Sequence, residues 1–194
     1  MGPTNDCSTV DQAGLERPVA ARRRARAGAA VKANCYGLGV ETCLPVLREA
    51  GCRDFFVAHW SEVPAVLRHV PPEQVAVLHG PIDAGEAAYA RSVGVRPVID
   101  SLRQARLWLE SGGGPCNLMV DTGINRLGIS PADLSDPDVQ QLEIEVLMSH
   151  LACADDRDHP LNREQWSRFV GELELWPEGV GGSLLNSAGV ANFS

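Results

Sequence analysis

Seven short apolar runs recur along the chain from residue 29 onward, with helix-like stretches between them. The runs lie at residues 29–32, 55–58, 75–79, 96–99, 117–120, 145–149 and 181–185. They are too short for helices and do not alternate strictly between apolar and polar positions, which is typical of strands buried on both faces. Strands that alternate with helices along a sequence predict a parallel sheet covered by helices.

Helix signals fill the intervals between these runs. Ser101 is a suitable N-cap for the segment SLRQARLWLE, and the Ala-rich segment DAGEAAYARSVG is expected to end at Gly94. Further along, the apolar positions of NREQWSRFVGELEL recur at helical spacing. They predict one core-facing stripe, formed by Trp166, Phe169, Val170 and Leu173.

The number of strands favours an α/β fold of the (β/α)8 TIM-barrel type over a small open sheet. A full barrel has eight strands and about 250 residues, whereas this chain has 194 residues and ends a few residues after the seventh run. We therefore expect an incomplete barrel with about seven of the eight strands. Because an open barrel leaves strand edges unpaired, we expect another segment to close it or the chain to be part of a longer protein.

Composition and charge narrow the functional classes. Hydrophobic residues make up 44% of the chain and charged residues 22%, as in ordinary globular proteins. The formal net charge of −8 disfavours nucleic acid or an anionic membrane as a partner. The sequence has neither an apolar run long enough to span a membrane nor a secretory signal pattern at its start. Its six cysteines lack a C-x-x-C spacing, so we expect reduced thiols and a cytoplasmic location.

The first 28 residues differ from the rest of the chain. They carry an arginine-rich stretch that starts at Arg17 and gives this segment a local net charge of +2 (five Arg against Asp6, Asp11 and Glu16). A few arginines of this kind are usually a solvated face. We therefore separate an N-terminal segment, residues 1–28, from a barrel domain over residues 29–194.

The chain uses arginine for almost all of its basic side chains, and Lys32 is the only lysine among 17 basic residues. Arginine and lysine are nearly equivalent as solvated charges, but a guanidinium stays protonated and cannot form a Schiff base. Lys32 is the last residue of the first predicted strand, and functional groups of a barrel collect at the carboxyl ends of its strands. An amine in that place indicates carbonyl chemistry.

Other polar groups follow the later strands. In an imine-forming site, the hydroxyls of Tyr36 and Ser187 could bind a phosphate, the imidazole of His150 could lie on a ring face, and Arg126 could take a carboxylate in a bidentate fork. We expect Asp121, in the turn before Arg126, to support that arginine. No spacing of cysteine and histidine residues indicates a metal site.

Four segments resemble, in order and at similar separations, the motifs of one enzyme family. They are VKANCYGLG, MVDTGINRLG, MSHLACADD and SLLNSAG. This set resembles the alanine racemases, which are fold-type III pyridoxal-phosphate enzymes, over roughly residues 29–189. The resemblance implies pyridoxal 5'-phosphate as cofactor and the interconversion of L-alanine and D-alanine, which supplies D-alanine for peptidoglycan.

The resemblance also implies roles for single residues. Lys32 resembles the lysine that holds the cofactor as an aldimine and exchanges a proton with the substrate α-carbon on one face. Arg126 resembles the arginine that contacts the substrate carboxylate. The implied cofactor contacts are Lys32, Tyr36 at the phosphate, Leu78 as an apolar contact, His150 against the ring, and the pair Asn186 and Ser187.

The chain departs from the family in three places. The family's opening stretch, with an acidic strand and an Asn-containing helix before the lysine strand, is not recognisable in residues 1–28. Met119 stands where the family often has a carbamylated lysine that steadies the arginine. The family's last barrel strand and its carboxy-terminal β-domain are not found in the sequence. In the family's homodimer, that domain supplies the tyrosine that acts as the second base, so we expect this chain alone to be at best weakly active and do not assume that it dimerises.

Three alternatives stay open at this point. The chain could be another pyridoxal-phosphate barrel enzyme, such as a broad amino-acid racemase or a decarboxylase-like barrel. It could be a non-catalytic fragment that binds the cofactor. The third alternative is a metal-dependent barrel that uses His150 and Asp155.

Overall fold

A computed structural model describes residues 26–193 of the chain. Its sheet contains seven parallel strands whose spatial order is the same as their order in the sequence. This confirms the parallel sheet expected from the apolar runs. The strands are β1 (Ala29–Ala30), β2 (Phe55–Val57), β3 (Val75–Val77), β4 (Arg96–Ile99), β5 (Pro115–Met119), β6 (Glu143–Met148) and β7 (Gly181–Ser183).

Helical segments follow each strand. They are α1 (Lys32–Tyr36), α2 (Val40–Glu49), α3 (Val63–Val66), α4 (Ala84–Val93), α5 (Leu102–Glu110), α6 (Pro137–Gln140), α7 (Pro160–Leu173) and α8 (Ser187–Phe193), with 3-10 turns at Trp60–Glu62, Pro72–Gln74 and Pro131–Asp133. The predicted caps are present: the Ser101 side chain accepts from the Gln104 N–H, and α4 ends at Gly94 with φ 75°.

The sheet curls but does not close. Within residues 26–193, β1 pairs only with β2 and β7 pairs only with β6. The fold is therefore an incomplete (β/α)8-type barrel with seven strands, as the sequence predicts. The segment 1–28 and its arginine-rich stretch lie almost entirely outside the described residues. None of the helices in the described part is both long and apolar enough to cross a membrane.

Alternation along the strands sorts the core into two layers. On β3, Val75 and Val77 belong to the large cluster between sheet and helices, whereas Ala76 belongs to a small cluster on the other face. The small cluster is completed by Val98, Met119 and Met148 from β4, β5 and β6. Because side chains of a strand alternate between its two faces, the small cluster lines the inside of the curl, beneath the carboxyl ends of the strands.

Helix α7 presents the predicted stripe to the core. Phe169 is buried, and the half-buried Trp166 and Leu173 pack against the same core cluster, while Val170 is also half-buried. The remaining buried positions of α7 are the polar residues Asn162 and Gln165, which lie at i−7 and i−4 from Phe169. A polar pair on that face has to find hydrogen-bond partners in the core.

Candidate active site

Lys32 lies where β1 ends and its side chain is half-buried. The preceding residue donates its N–H to the Phe56 carbonyl at 2.8 Å, which joins this point of the chain to β2. The ammonium Nζ lies 6.0 Å from the centre of the Tyr36 ring. Tyr36 is 65% exposed, so its hydroxyl is accessible at the mouth of the curl, by which we mean the end of the sheet where the carboxyl ends of the strands lie.

The segment α1 after Lys32 is a left-handed turn. Ala33, Asn34, Cys35 and Tyr36 have φ values of 51°, 53°, 54° and 53°. L-residues rarely adopt this conformation, which costs about 1–2 kcal/mol per residue. The turn is hydrogen-bonded at its end, where the Asn34 Oδ1 accepts from the Val40 N–H at 2.9 Å. The sequence gives little sign of this turn, because the glycines that favour positive φ, Gly37 and Gly39, come only after it.

Arg126 projects from the loop that follows β5. Asp121 organises this loop, since its Oδ1 accepts from the N–H groups of Gly123, Ile124 and Asn125 at 2.8, 3.0 and 3.1 Å. Asp121 therefore orders the backbone of the three residues before Arg126, and its support of Arg126 stays a prediction. Arg126 itself is exposed, and it forms no hydrogen bond or salt bridge with another described residue.

His150 follows β6 and contacts Asn186, which follows β7. The Asn186 Nδ2 lies 3.4 Å from the His150 Nε2 and 3.3 Å from the Leu151 carbonyl. An amide nitrogen is a donor only, so Nε2 of His150 must accept and carry no proton in this arrangement. Asn186 thus favours the neutral imidazole and fixes its orientation.

Lys32 and Arg126 both lie close enough to His150 to act on it electrostatically. Burial lowers the pKa of His150, and the cations Arg126 and Lys32 lower it further. The pKa of His79, which follows β3, is lowered by burial, by His59 and by the same two cations. His59 and His79 touch edge to face with ring centres 4.3 Å apart. Side chains from the ends of β1, β2, β3, β5 and β6 therefore share one mouth.

A buried polar network supports the β6 side of this mouth. The fully buried Gln165 of α7 donates from Nε2 to the His150 carbonyl at 2.9 Å and to the Thr122 Oγ1 at 3.2 Å, and its Oε1 accepts from the Ala152 N–H at 2.8 Å. The Thr122 and Ser149 hydroxyls lie 2.8 Å apart. Sequence reasoning missed Gln165. The feature of the sequence that could have indicated Gln165 is its spacing, four positions before the apolar Phe169 on the same helix.

A second residue that sequence reasoning missed is Asp100, which directly follows β4. Its side chain is buried, and both of its carboxylate oxygens lack a hydrogen-bond partner within the described part of the chain. Burial raises the pKa of Asp100 to about 7. The carboxyl is therefore partly protonated near neutral pH, unlike an exposed aspartate.

The remaining expected site residues lie at or near the same end of the sheet. Leu78 follows β3, is half-buried and packs against the inner cluster. Ser187 begins α8 and is exposed. Met119 is buried within the inner cluster. It contributes an apolar side chain at the position where, by the family resemblance, a carbamylated lysine often stands. Within residues 26–193 there is no group of three or more His, Cys, Asp or Glu side chains that could hold a metal ion.

The donor set of the mouth fits an anionic ligand. Lys32 and Arg126 are cations without a salt bridge to any acid of the part of the chain that the structure describes, although the whole chain carries a net charge of −8. A phosphate monoester and a carboxylate are the anions that such a pair of groups binds. A primary amine beside them is also the group that condenses with an aldehyde.

Comparison with known proteins gives consistent matches. Residues 16–194 match the sequence model of the family "Alanine racemase, N-terminal domain". The chain is 44% identical over 176 residues to alanine racemase of Rhizobium meliloti, and 40% identical over 187 residues to that of Rhodospirillum rubrum. These alignments cover 86% and 89% of this chain but 46% and 50% of the relatives.

Solved structures give the same result. The crystal structure of alanine racemase from Bartonella henselae with covalently bound pyridoxal phosphate superposes with a TM-score of 0.75 at 32% identity, over 87% of this chain and 52% of that one. Biosynthetic alanine racemase from Pseudomonas aeruginosa superposes with a TM-score of 0.73 at 35% identity, over 86% and 48%. The chain spans about half the length of the proteins it matches.

Proposed function

The chain belongs to the alanine racemase family, matching its N-terminal domain, and from this premise we propose that the whole protein interconverts L-alanine and D-alanine with pyridoxal phosphate held on Lys32. The observation that carries the proposal is the convergence of Lys32, Arg126 and His150 at one mouth, where both cations act on the imidazole. Three of the four family-like segments contribute a group to this convergence, although they are far apart in the sequence.

The chemistry divides between the cofactor and the chain. Pyridoxal phosphate, when bound, supplies an aldehyde that condenses with amines and a ring that accepts the electron pair left on the substrate α-carbon. We propose that Lys32 holds the cofactor and moves a proton at Nζ to or from the α-carbon on one face. Arg126 binds the substrate carboxylate, because its guanidinium is accessible and unpaired within the described residues.

The other residues bind and orient. The neutral imidazole of His150, held by Asn186, lies against the ring without adding a further positive charge. The exposed hydroxyls of Tyr36 and Ser187 bind the phosphate. Leu78 gives an apolar contact from the inner cluster. These assignments follow from the family resemblance of each position and from the accessibility of each group at the mouth.

Racemisation also requires a second base on the opposite face of the substrate. Tyr36 lies beside Lys32 and Tyr89 packs against Trp60 in the outer layer, with ring centres 6.3 Å apart. Neither described tyrosine is thus placed opposite the amine. We infer that the base comes from outside residues 26–193, from a later part of the protein or from a second subunit in a homodimer.

The first experiment tests the cofactor site. Pyridoxal phosphate added to the protein is expected to produce the absorbance band of an imine, and borohydride reduction followed by peptide mapping is expected to label Lys32. Lys32→Ala removes the band. Lys32→Arg keeps the positive charge but also removes the band, because a guanidinium does not condense. Arg48→Ala, which removes an exposed cation of α2, leaves it unchanged.

The second experiment tests the reaction. The whole protein is expected to convert L-alanine to D-alanine, followed by chiral chromatography, and residues 26–193 alone are expected to be about 10²–10⁴-fold slower because one base is missing. Equal rates would contradict the inferred location of the second base. An imine band together with decarboxylation, or with a broad amino-acid range, would favour another pyridoxal-phosphate barrel enzyme. An imine band without turnover would favour a cofactor-binding module.

We also propose a cytoplasmic location. Five cysteines of the described part are free thiols, and thiols stay reduced in the cytoplasm.

A further inference from the structure

The left-handed turn after Lys32 needs support from outside itself. Four consecutive residues at φ values of 51–54° together cost about 4–8 kcal/mol at the rate for single L-residues. This is comparable with the whole stability of a typical domain. Such a conformation persists only where surrounding groups determine it strongly. β1 itself is only two residues long and supplies few contacts.

The carboxylate of Glu62 gives this support. Its Oε1 accepts from the Ala33 N–H at 2.5 Å, the amide directly after Lys32. Its Oε2 accepts from the N–H groups of Ala58 and His59 at 2.7 and 3.1 Å, where the chain leaves β2. One half-buried carboxylate therefore joins the turn to the end of the neighbouring strand, across 29 residues of sequence.

The backbone on both sides of Lys32 is consequently held by hydrogen bonds. The N–H of the residue before it is bonded to the Phe56 carbonyl of β2, and the N–H of the residue after it is bonded to Glu62. Both bonds lead to the same strand and its following loop. With both neighbours fixed, the Cα–Cβ direction of Lys32 is fixed, and its ammonium is near enough to His79 and His150 to lower the pKa of both.

Part of what Glu62 does is ordinary helix capping. It ends the 3-10 turn Trp60–Glu62, and its bond to the His59 N–H is half of a capping box. The bond to Ala33 is not part of any cap of that turn, because Ala33 belongs to a different strand-end segment. It is this bond that connects the carboxylate to Lys32.

We propose that Glu62 is a positioning residue for Lys32, acting through the backbone of the left-handed turn and without contact to substrate or cofactor. The proposal rests on the proposed function, since it assigns Lys32 the reacting amine. Glu62 is not in any of the segments that resemble family motifs, and its role is visible only from the three hydrogen bonds.

The test compares two carboxylate-to-amide variants of the whole protein. Glu62→Gln keeps the size of the side chain but converts one accepting oxygen into a donor. The amide keeps more hydrogen bonds when its oxygen faces the Ala58 and His59 N–H groups, so the Ala33 N–H is the one expected to lose its acceptor. Glu86→Gln is the matched control, because Glu86 similarly accepts a backbone N–H, that of Ile82 at 2.9 Å, near the start of α4 and outside the mouth. Glu62→Asp keeps the charge and both oxygens on a shorter stem.

Hydrogen exchange is measured first, on the protein without cofactor. Peptides covering residues 31–37 are expected to exchange at least tenfold faster in Glu62→Gln than in the wild type, and to be unchanged in Glu86→Gln. Unchanged exchange in Glu62→Gln overturns the proposal. This result does not depend on whether the protein binds pyridoxal phosphate.

The rate of imine formation on Lys32 and the steady-state kinetics are measured next. Glu62→Gln is expected to slow imine formation and to lower kcat at least tenfold, with KM for alanine within twofold, and to change the visible circular dichroism of the bound cofactor. Glu62→Asp is expected to restore part of the loss. Faster exchange with unchanged imine formation and kcat overturns positioning and leaves a structural role only. A wild-type protein without an imine band would instead overturn the proposed function, while the exchange result still decides whether Glu62 holds the turn.

Discussion

Lys32 follows β1 and His150 follows β6, and different kinds of structure hold them. The β1 side consists of Lys32, the left-handed turn over residues 33–36 and Glu62, and most of its residues are exposed or half-buried. The β6 side consists of Thr122, Ser149, His150 and Gln165, of which all but His150 are buried. Backbone strain opposes order on the first side, whereas the desolvation of polar groups opposes it on the second.

The difference predicts different responses to substitution. Buried polar groups that lose a partner cost about 1–3 kcal/mol each, so changes on the β6 side should affect stability strongly. Changes on the β1 side act on a surface turn, so they should affect stability less and the placement of the amine more. Four measurements test or refine this contrast.

The largest expected effect is on the β6 side. Gln165→Leu leaves the His150 carbonyl and the Ala152 N–H without the partner they have in Gln165, while the Thr122 hydroxyl keeps only its contact with Ser149. We expect a loss of about 3–5 kcal/mol in the free energy of unfolding, measured by urea denaturation. Gln141→Leu changes an exposed glutamine and should stay within about 0.5 kcal/mol. A loss below about 1 kcal/mol for Gln165→Leu would remove the contrast.

Asp100 tests whether the desolvation of a buried polar group also opposes folding at the end of β4. Because its folded-state pKa is raised from 3.8 to about 7, the folded state binds the proton more tightly, and stability falls as the pH rises between these two values. Asp100→Asn should therefore stabilise the protein by ~2–4 kcal/mol at pH 8, with little difference near pH 4. Asp133→Asn, at an exposed position, serves as the control. Equal stabilities of wild type and Asp100→Asn at pH 8 would mean that the carboxyl is solvated.

Strain on the β1 side is tested by one substitution made at two places. Ala33→Gly relieves a positive φ and should stabilise the fold by about 0.5–1 kcal/mol after the entropy of the unfolded glycine is included. Ala88→Gly, at an exposed position inside α4, should instead destabilise it by about 1 kcal/mol. Effects of the same sign at both positions would argue against strain in the turn.

The smallest expected effect concerns the electrostatic action of nearby cations on His150 of the β6 side. Arg126→Gln removes one of the cations that lower the pKa of His150, while its burial and Lys32 remain. The NMR titration midpoint of His150 should therefore rise but stay below 6.5. Arg163→Gln, an exposed position on α7, should not move it. An unchanged midpoint in Arg126→Gln would place the guanidinium away from the imidazole.

Local patterns predicted most of the fold. Strands β2, β3 and β4 begin at the residues where the apolar runs begin, and α5 starts after Ser101 as its cap indicates. Lys32, Arg126 and His150 were found because each lies within a few residues of the carboxyl end of a strand or in the loop after one. Gln165 was missed because the partners that make a buried amide favourable lie 13 to 43 residues away in the sequence.

The amino-acid sequence by itself determined the strand order, the single amine and the positions at which polar groups follow apolar runs, since these depend on neighbouring residues and on the carboxyl ends of parallel strands meeting at one edge. Only the tertiary structure decided the left-handed turn, the hold of Glu62 on it and the raised pKa of Asp100. A strained backbone and a desolvated carboxyl both depend on groups from other strands, and no local pattern encodes which distant group will be there.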